Sequence, residues 1–461
     1  MKAAAQSPTS ASIGGRVIDN RGRGVSGADV AITNRVTGLI LRAISHADGR
    51  YLIRGLEVGG PYSLTVRRIG WAMAGRTGLF LSLGQQLQMD VALDSQAVIL
   101  QAVGISLTRN RLFASDRMGA EVLLADSVLQ SMPVLNRDLY DLVRLVPQMS
   151  TWFALSALGA GSRANSIRID GVTDQAPGTN LASGQLYGGK VIPLDAVKEY
   201  QVSVSPYDVR QGSFAGVGVN VVTRSGTNAF HGSAFGSGTN ERLGPNVPFI
   251  RKARYDKGQY GLSLGGPIVR DHLLFFVSSE LQQRSIPAGG PYVGESLSSE
   301  GALLVRPEDI ARFQALLNAR GLVAGSAGPV TNSNPSSSTF LRLDAPLPRW
   351  NSRIALRGNY GHADSSIFAR PTVLSPTNCS TNACFPLSSL QHSRWLDKRS
   401  VSVQLATHLA GGAYNELVAG GTHLVSGFHP TVESPLILVS VPGAGGTPAV
   451  LQAGTHEIAT G

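Results

Sequence analysis

LDAVKEYQVSVSPYDVRQGSFAGVGVNVVTRSGTNAFHGSAF, residues Leu194 to Phe235, holds two alternating runs that meet at a glycine-punctuated turn. Val202 and Val204 alternate with Ser203 and Ser205, and Val217, Val219 and Val221 alternate with Gly218, Asn220 and Val222. A period of two sends successive side chains to opposite faces and predicts half-buried strands. Arg224, Ser225, Gly226, Thr227 and Asn228 then supply turn chemistry, since Gly tolerates positive φ and Asn can bond its own backbone. Beyond this turn alternation runs to the end of the chain, so the stretch separates two kinds of structure.

From Phe230 onward the chain reads as successive hairpins. Leu273, Phe275, Val277 and Leu281 share one face of a strand, and Leu341 and Leu343 oppose Arg342 and Asp344 on another. Ile354, Leu356 and Tyr360 alternate with Arg353, Arg357 and Asn359; Val401, Val403 and Leu405 alternate with Ser402 and Gln404. Such strands can put one side chain in two against lipid and its neighbours in a polar lumen. Short turns, IVRDH, PLPRWNS and LAGGAY, separate strands whose other ends are joined by long loops, the asymmetry of membrane barrels. The longest loop, about Arg284 to Ser338, contains a predicted helix at Pro307 to Arg320, with Ile310, Phe313, Leu316 and Leu317 at helical spacing and Gly321 ending it.

Composition agrees with many strands and tight turns. Charged residues are 15% of the 461, against a usual share of about 25%, and there are 54 glycines. The net charge of +10 raises a nucleic-acid reading, but Lys occurs only six times and the arginines are scattered, which argues against one. No run of 18 apolar residues exists, so no spanning helix is expected; a barrel, whose strands need only about 9 to 11 alternating residues, stays open.

Upstream, Ile13 to about Asp94 carries short runs separated by DNRGRG, NRVTG, HADG and GLEVGGP, the spacing of an all-β sandwich. His46 beside Asp48 in HADG reads as an exposed turn residue, and no zinc-peptidase ligand set accompanies it. From about Asp116 to Asn228 the signals are mixed. Asn136 is a candidate cap for a helix through RDLYDLVRLV, with Leu139, Leu142, Val143 and Val146 on one face and Pro147 as its stop. Ile167, Ile169 and Val172 in RIDGV form a strand pair turning at Asp170 and Gly171. Gly184 to Lys190 spells the start of a phosphate-binding loop, but Val191 stands where a Ser or Thr hydroxyl is needed and no helix follows.

GRVIDNRGRGVSGADVAITN followed by HADGRYLIRGLEVGGPYSLTV resembles the carboxypeptidase regulatory-like family, a seven-stranded sandwich without catalytic residues. MPVLNRDLYDLVRLVPQ, SIRIDGVTD and IPLDAVKEYQVS, in that order and running into the opening stretch, resemble the plug domain of TonB-dependent outer-membrane receptors of the Oar-like kind. The resemblance implies a mainly β chain: an N-terminal tail at 1–12, a sandwich at 13–94, a linker at 95–115, an α+β plug at 116–228 and, from 229 to 461, the first strands of an incomplete antiparallel transmembrane β-barrel. Seven or eight strands follow Asn228, whereas plugged transporters use about 22, so the expectation is the N-terminal part of a longer protein.

The same resemblance implies an outer-membrane location, contact with lipid, and the energy-transducing protein TonB as partner. TonB would pair by β-augmentation with a short extended box, placed at Ala102, Val103, Gly104, Ile105 and Ser106; the alternative is a plain linker strand. Met1 to Ser12 has no apolar core of a signal peptide, so an exported protein would need a start other than this one. In an exported loop Cys379 and Cys384 are a disulfide candidate, with free thiols as the alternative. No metal, cofactor or catalytic set is expected. Two functions stand: a transporter that imports a solute with energy delivered by TonB to the plug, or a surface binding or adhesion protein on the same scaffold. Carbohydrate, iron chelates and peptides are all candidate ligands.

Overall fold

The computed structural model describes residues 9–94, 121–125, 129, 137, 149–150, 156–157, 165–174, 190, 192–203, 217–243, 255–288, 292–293, 305–368, 370, 383–409, 413–443 and 448–455. The candidate TonB box from Ala102 to Ser106 and Cys379 lie outside these residues. So do the expected helix after Asn136, apart from Arg137, and the glycine loop before Lys190.

The first unit is a sandwich of two antiparallel-dominated sheets. Strands β1 (Ala11–Asp19), β2 (Asp29–Asn34), β3 (Ile40–Ile44), β4 (Arg50–Leu56), β5 (Gly59–Arg67), β6 (Ala74–Leu81), β7 (Gln86–Gln88) and β8 (Val91–Leu93) divide into β4-β1-β7 with β8 also on β1, and β3-β2-β5-β6. Strand β1 opens at Ala11, inside the stretch expected to be tail. Segments β7 and β8 both run parallel to β1 in one register, Ile13 opposite Leu87 and Ile18 opposite Ala92. They are one strand interrupted at Met89 and Asp90, which reduces eight segments to the seven expected strands. Alternation in β2 and β4 sends Val30, Ile32, Tyr51 and Ile53 inward, against Leu64, Val66 and Val17. His46 is exposed in its turn, donating its backbone N–H to Arg50 O.

The second unit is built on a five-stranded sheet. Strands β9 (Glu121–Ala125), β12 (Ser166–Ile169), β13 (Val172–Thr173), β14 (Val197–Ser203) and β15 (Gly218–Thr223) lie in the order β13-β12-β15-β14-β9; β10 (Met149–Ser150) and β11 (Ser156–Ala157) pair separately. Asp170 and Gly171, both at positive φ, make the two-residue hairpin between β12 and β13. The expectation of half-buried strands is corrected here: β14 and β15 are buried on both faces almost throughout. Val202, Val219 and Val221 enter the apolar core, while Glu199, Gln201 and Asn220 on the other face are also covered. Polar side chains produce the alternation, but the sheet has neighbours on each side, so the polar face meets protein instead of solvent.

The third unit is an antiparallel wall. Strands β16 (His231–Asn240), β17 (Asp256–Val269), β18 (Leu273–Pro287), β20 (Ser336–Leu347), β21 (Ser352–Ile367), β23 (His392–His408) and β24 (Tyr414–Pro430) follow one another in sequence order, with the short β19 (Thr331–Ser333) on the end of β18. Apart from β16 they are 12 to 17 residues long, beyond the ~9–11 a bilayer crossing needs. Among the described residues the end strands β16 and β24 do not pair, so the barrel is open. Alternation along the inner strands resolves as two faces: Leu341, Leu356 and Val401 are exposed outside, while Arg342, Arg357 and Ser402 are buried inside. Trp350 at the β20–β21 turn and Phe230 at the start of the wall are exposed at one rim, where aromatic side chains gather in membrane barrels.

At the opposite rim the long connections build a module with its own core. Helix α1 (Pro307–Asn318) buries Ile310, Phe313 and Leu317 against a three-stranded sheet of β22 (Ala383–Pro386), β26 (Pro448–Ala453) and β25 (Ile437–Pro442). Leu316, expected on the buried face, is 57% exposed, because Leu317 already fills the inward direction one residue on. Arg370 staples the loops together, donating from Nε to Pro386 O, from Nη1 to Gly328 O and from Nη2 to Ser326 O, each within 2.9 Å. Burial pushes its pKa down to about 10, against a smaller opposing influence of Tyr292.

Candidate functional site

The chemistry of this chain gathers where the plug sheet meets the inside of the wall and the underside of the sandwich. The glycine turn that opened the sequence is the joint. Strand β15 leaves the plug at Thr223 and β16 enters the wall at His231. Two expectations for this joint are corrected. Gly226 has no positive φ; it is there because the chain passes over Phe275, whose backbone O would lie 2.3 Å from any added Cβ. Asn228 does not bond its own backbone. Its amide donates to Thr37 O and Asp271 Oδ1 and its oxygen accepts from the Asp271 N–H, tying the joint to the sandwich and to the β17–β18 turn.

Above the joint, buried ion pairs hold the plug to the wall. Asp174, just after β13, pairs with Lys398 of β23 and also accepts from Thr422 of β24. Lys190 pairs with Glu280 of β18, both side chains almost wholly buried, so the lysine of the glycine loop serves a plug–wall contact. Arg137 lies 3.8 Å from the same Glu280, pairs with Asp195, and stacks its guanidinium 3.9 Å from the ring centre of Phe235. Asp170 of the plug hairpin accepts from the Thr223 N–H and hydroxyl. Arg342 holds Asp344 with two bonds of 2.9 Å and donates to Thr223 Oγ1 at 2.8 Å. A bidentate carboxylate fork of this kind fixes geometry as well as charge.

Below the joint the sandwich seals against plug and wall together. Val58 and Leu83 pack on Val222 of β15, the Leu83 N–H donates to Glu199 Oε1 at 3.0 Å, and Glu57 pairs with Arg353 of β21. His408 Nε2 reaches Arg54 O at 2.8 Å. A small cavity of about 20 Å³ lies at this triple junction, with Lys198, Arg342 and Arg353 facing Asp170 and Glu57 in its lining. Lys198 is pushed down to about 8, first by burial and then by the positive charges of Arg342 and Arg224.

Of the site residues expected from sequence, Cys384 is described and is disulfide-bonded. The wall's inward face, Arg342, Asp344, Arg353 and Arg357, was legible from alternation. The plug and sandwich partners of wall residues, Asp170, Asp174, Lys190 and Glu57, were not, because they lie between about 90 and 300 positions away in the chain; the available signal was charged residues at inward positions of strands otherwise apolar outside.

Parts of the chain are similar to known proteins. Residues 12–94 match the carboxypeptidase regulatory-like domain and residues 222–293 match an outer membrane beta barrel domain. The chain is 27% identical over 289 residues to the TonB-dependent transporter Oar of Myxococcus xanthus, covering 58% of this chain and 26% of that protein. Among solved structures it is similar to the outer membrane transporter YddB from Escherichia coli, with a TM-score of 0.46 and 14% identity over 72% of this chain and 43% of the other. A ferric enterobactin receptor of Pseudomonas aeruginosa gives 0.43 and 13%, over 69% and 43%. The chain thus spans about a quarter of the length of the curated relative it matches.

Proposed function

We propose that this chain, which joins a region matching the carboxypeptidase regulatory-like domain to one matching an outer membrane beta barrel domain, is part of a TonB-dependent outer-membrane receptor that imports a solute when TonB pulls on its plug. The observation that carries this reading is the character of the plug–wall contact. Beside Phe276 and Phe340 of the wall, which join the plug's apolar core, it includes buried ion pairs, Asp174–Lys398 and Lys190–Glu280 among them. A buried pair contributes little net stability relative to two hydrated ions, yet it fixes register. Water entering behind a moving plug rehydrates both partners, so such a contact holds one position firmly and still lets go, which an apolar core of equal size would resist.

In this reading the chain divides into a short tail, a sandwich from Ala11 to residue 94, linker 95–115, plug 116–228 and wall 229–461. Ala102 to Ser106 form the box that adds a strand to TonB, and Cys379 pairs with Cys384 to close an outer loop. Deleting 102–106 in the full-length receptor should abolish uptake that depends on the proton-motive force while leaving surface expression intact. Unchanged uptake would remove the box, and uptake indifferent to the proton-motive force in the intact receptor would remove import by TonB altogether. Thiol labelling of unreduced protein should modify neither cysteine.

The outer module favours a second reading. Helix α1, the β22-β26-β25 sheet and the Arg370 staple make a prefolded surface, and a surface binding or adhesion protein needs such a platform without any movement of the plug. Binding of a carbohydrate or peptide that survives collapse of the proton-motive force, with no import, identifies that function.

A further inference from the structure

Arg357 carries a guanidinium that none of the contacts above answers. It is 3% exposed, on the inner face of β21, and its Nε, Nη1 and Nη2 make no hydrogen bond. Arginine has five N–H donors and stays charged at any physiological pH, and a buried charge is costly unless it is paired and bonded.

The neighbouring carboxylates give it one long ion pair and no hydrogen bond. Asp170 Oδ2 stands 3.8 Å from Arg357 Nη1, beyond hydrogen-bond distance, and 3.7 Å from Arg342 Nη1. Both oxygens of Asp170 already accept from Thr223. Asp344 is taken by Arg342 through both of its oxygens. Strand pairing sets Arg342 directly opposite Arg357, so two like charges face each other across one ladder position, which repels. On the other side Arg357 faces Ser402, a neutral residue. Asp170 and Arg342 also line the small cavity at the triple junction, where Lys198 and Arg353 add two further cations against Glu57. The arrangement is a set of donors with one acceptor missing.

We propose that Arg357, with Arg342 opposite it, forms a binding site for a small oxyanion, a phosphate or carboxylate group, at the plug–wall boundary. The planar guanidinium fork matches two oxygens of such a group, and charge-assisted bonds of this type are the strong ones. A phosphate free in solution and a carboxylate carried on an organic solute present the same oxygens. Bound there, the anion supplies the charge that Asp170 cannot share and lies against the Asp170–Thr223 hairpin contact.

The test uses the full-length receptor in detergent micelles, titrated calorimetrically with inorganic phosphate in one arm and acetate in the other. Saturable binding in either arm is expected, and the arm that binds more tightly identifies the form of the group. Arg357→Gln should weaken binding at least about tenfold, equivalent to about 1.4 kcal/mol. Ser402→Glu, which builds an acceptor into the strand beside Arg357, should abolish binding while keeping the arginine and raising the apparent unfolding temperature. Heat-modifiable migration on gels checks that each variant is folded. Equal binding by the parent protein and a folded Ser402→Glu variant overturns the site, and so does the absence of saturation with both anions, which would leave Arg357 solvated by water alone.

Discussion

Asp174 of the plug and Lys398 of the wall, 224 residues apart in sequence, form an ion pair that is buried on both sides. Removing one partner of such a pair strands the other charge in a dry site and costs about 3–5 kcal/mol, whereas replacing both with neutral groups is close to harmless. Asp174→Asn should therefore lower the apparent unfolding temperature and let a large hydrophilic antibiotic leak through the barrel. The double variant Asp174→Asn with Lys398→Met should recover most of both. Equal leak in single and double variants would show that the pair does not hold the plug.

Val58, Leu83 and Val222 make the apolar part of the seal between sandwich and plug. An unpaired carboxylate at Val58, which is 2% exposed, costs at least about 2–3 kcal/mol to bury, and undocking avoids that cost. Val58→Asp should release the sandwich from the receptor without unfolding it. Limited proteolysis checks this: cleavage between sandwich and plug should speed up severalfold, and the fragment released should resist further digestion.

Gly226 passes over Phe275 so closely that an added methyl group meets backbone N, C and O of that residue within 3 Å. Backbone atoms of a paired strand do not give way as a side-chain tip does. Gly226→Ala should cost about 1–3 kcal/mol, the range for overpacking, and should displace the start of β16. The yield of folded, heat-modifiable receptor measures it.

Lys198 lies in the plug with its pKa depressed to about 8, below its ordinary value of about 10.4. Between these two values the unfolded chain binds more protons than the folded one, so stability rises as pH rises from about 8 to about 10. The penalty is fully present below pH 8, where both states carry the proton. Lys198→Met should remove that rise and be the more stable protein at pH 7, by on the order of 1 kcal/mol. Apparent unfolding temperatures of both proteins across pH 7 to 10 give the comparison.

Much of this fold was legible because its dominant signal is local. A strand with one face to lipid and one to polar groups must alternate, and Ile354, Leu356 and Arg357 declare their faces within four residues. The Asp170–Gly171 hairpin is equally local, since both positions need positive φ. What stayed hidden depends on contact between distant segments. The double burial of β14 and β15 arises from neighbours above and below the sheet, and Gly226 answers to Phe275, 49 positions on, instead of to its own turn. The pairing of Glu57 with Arg353 joins the first unit to the third, and nothing in either strand's own pattern names the other.

The Arg370 staple has a consequence for how this chain can diversify. All three of its hydrogen bonds end on main-chain carbonyls, of Pro386, Gly328 and Ser326, a group that every amino acid provides. The tie thus places no demand on the side chains at those positions. The loops are free to change the surface they offer while one arginine keeps their paths together, so their outline can persist through a change of composition.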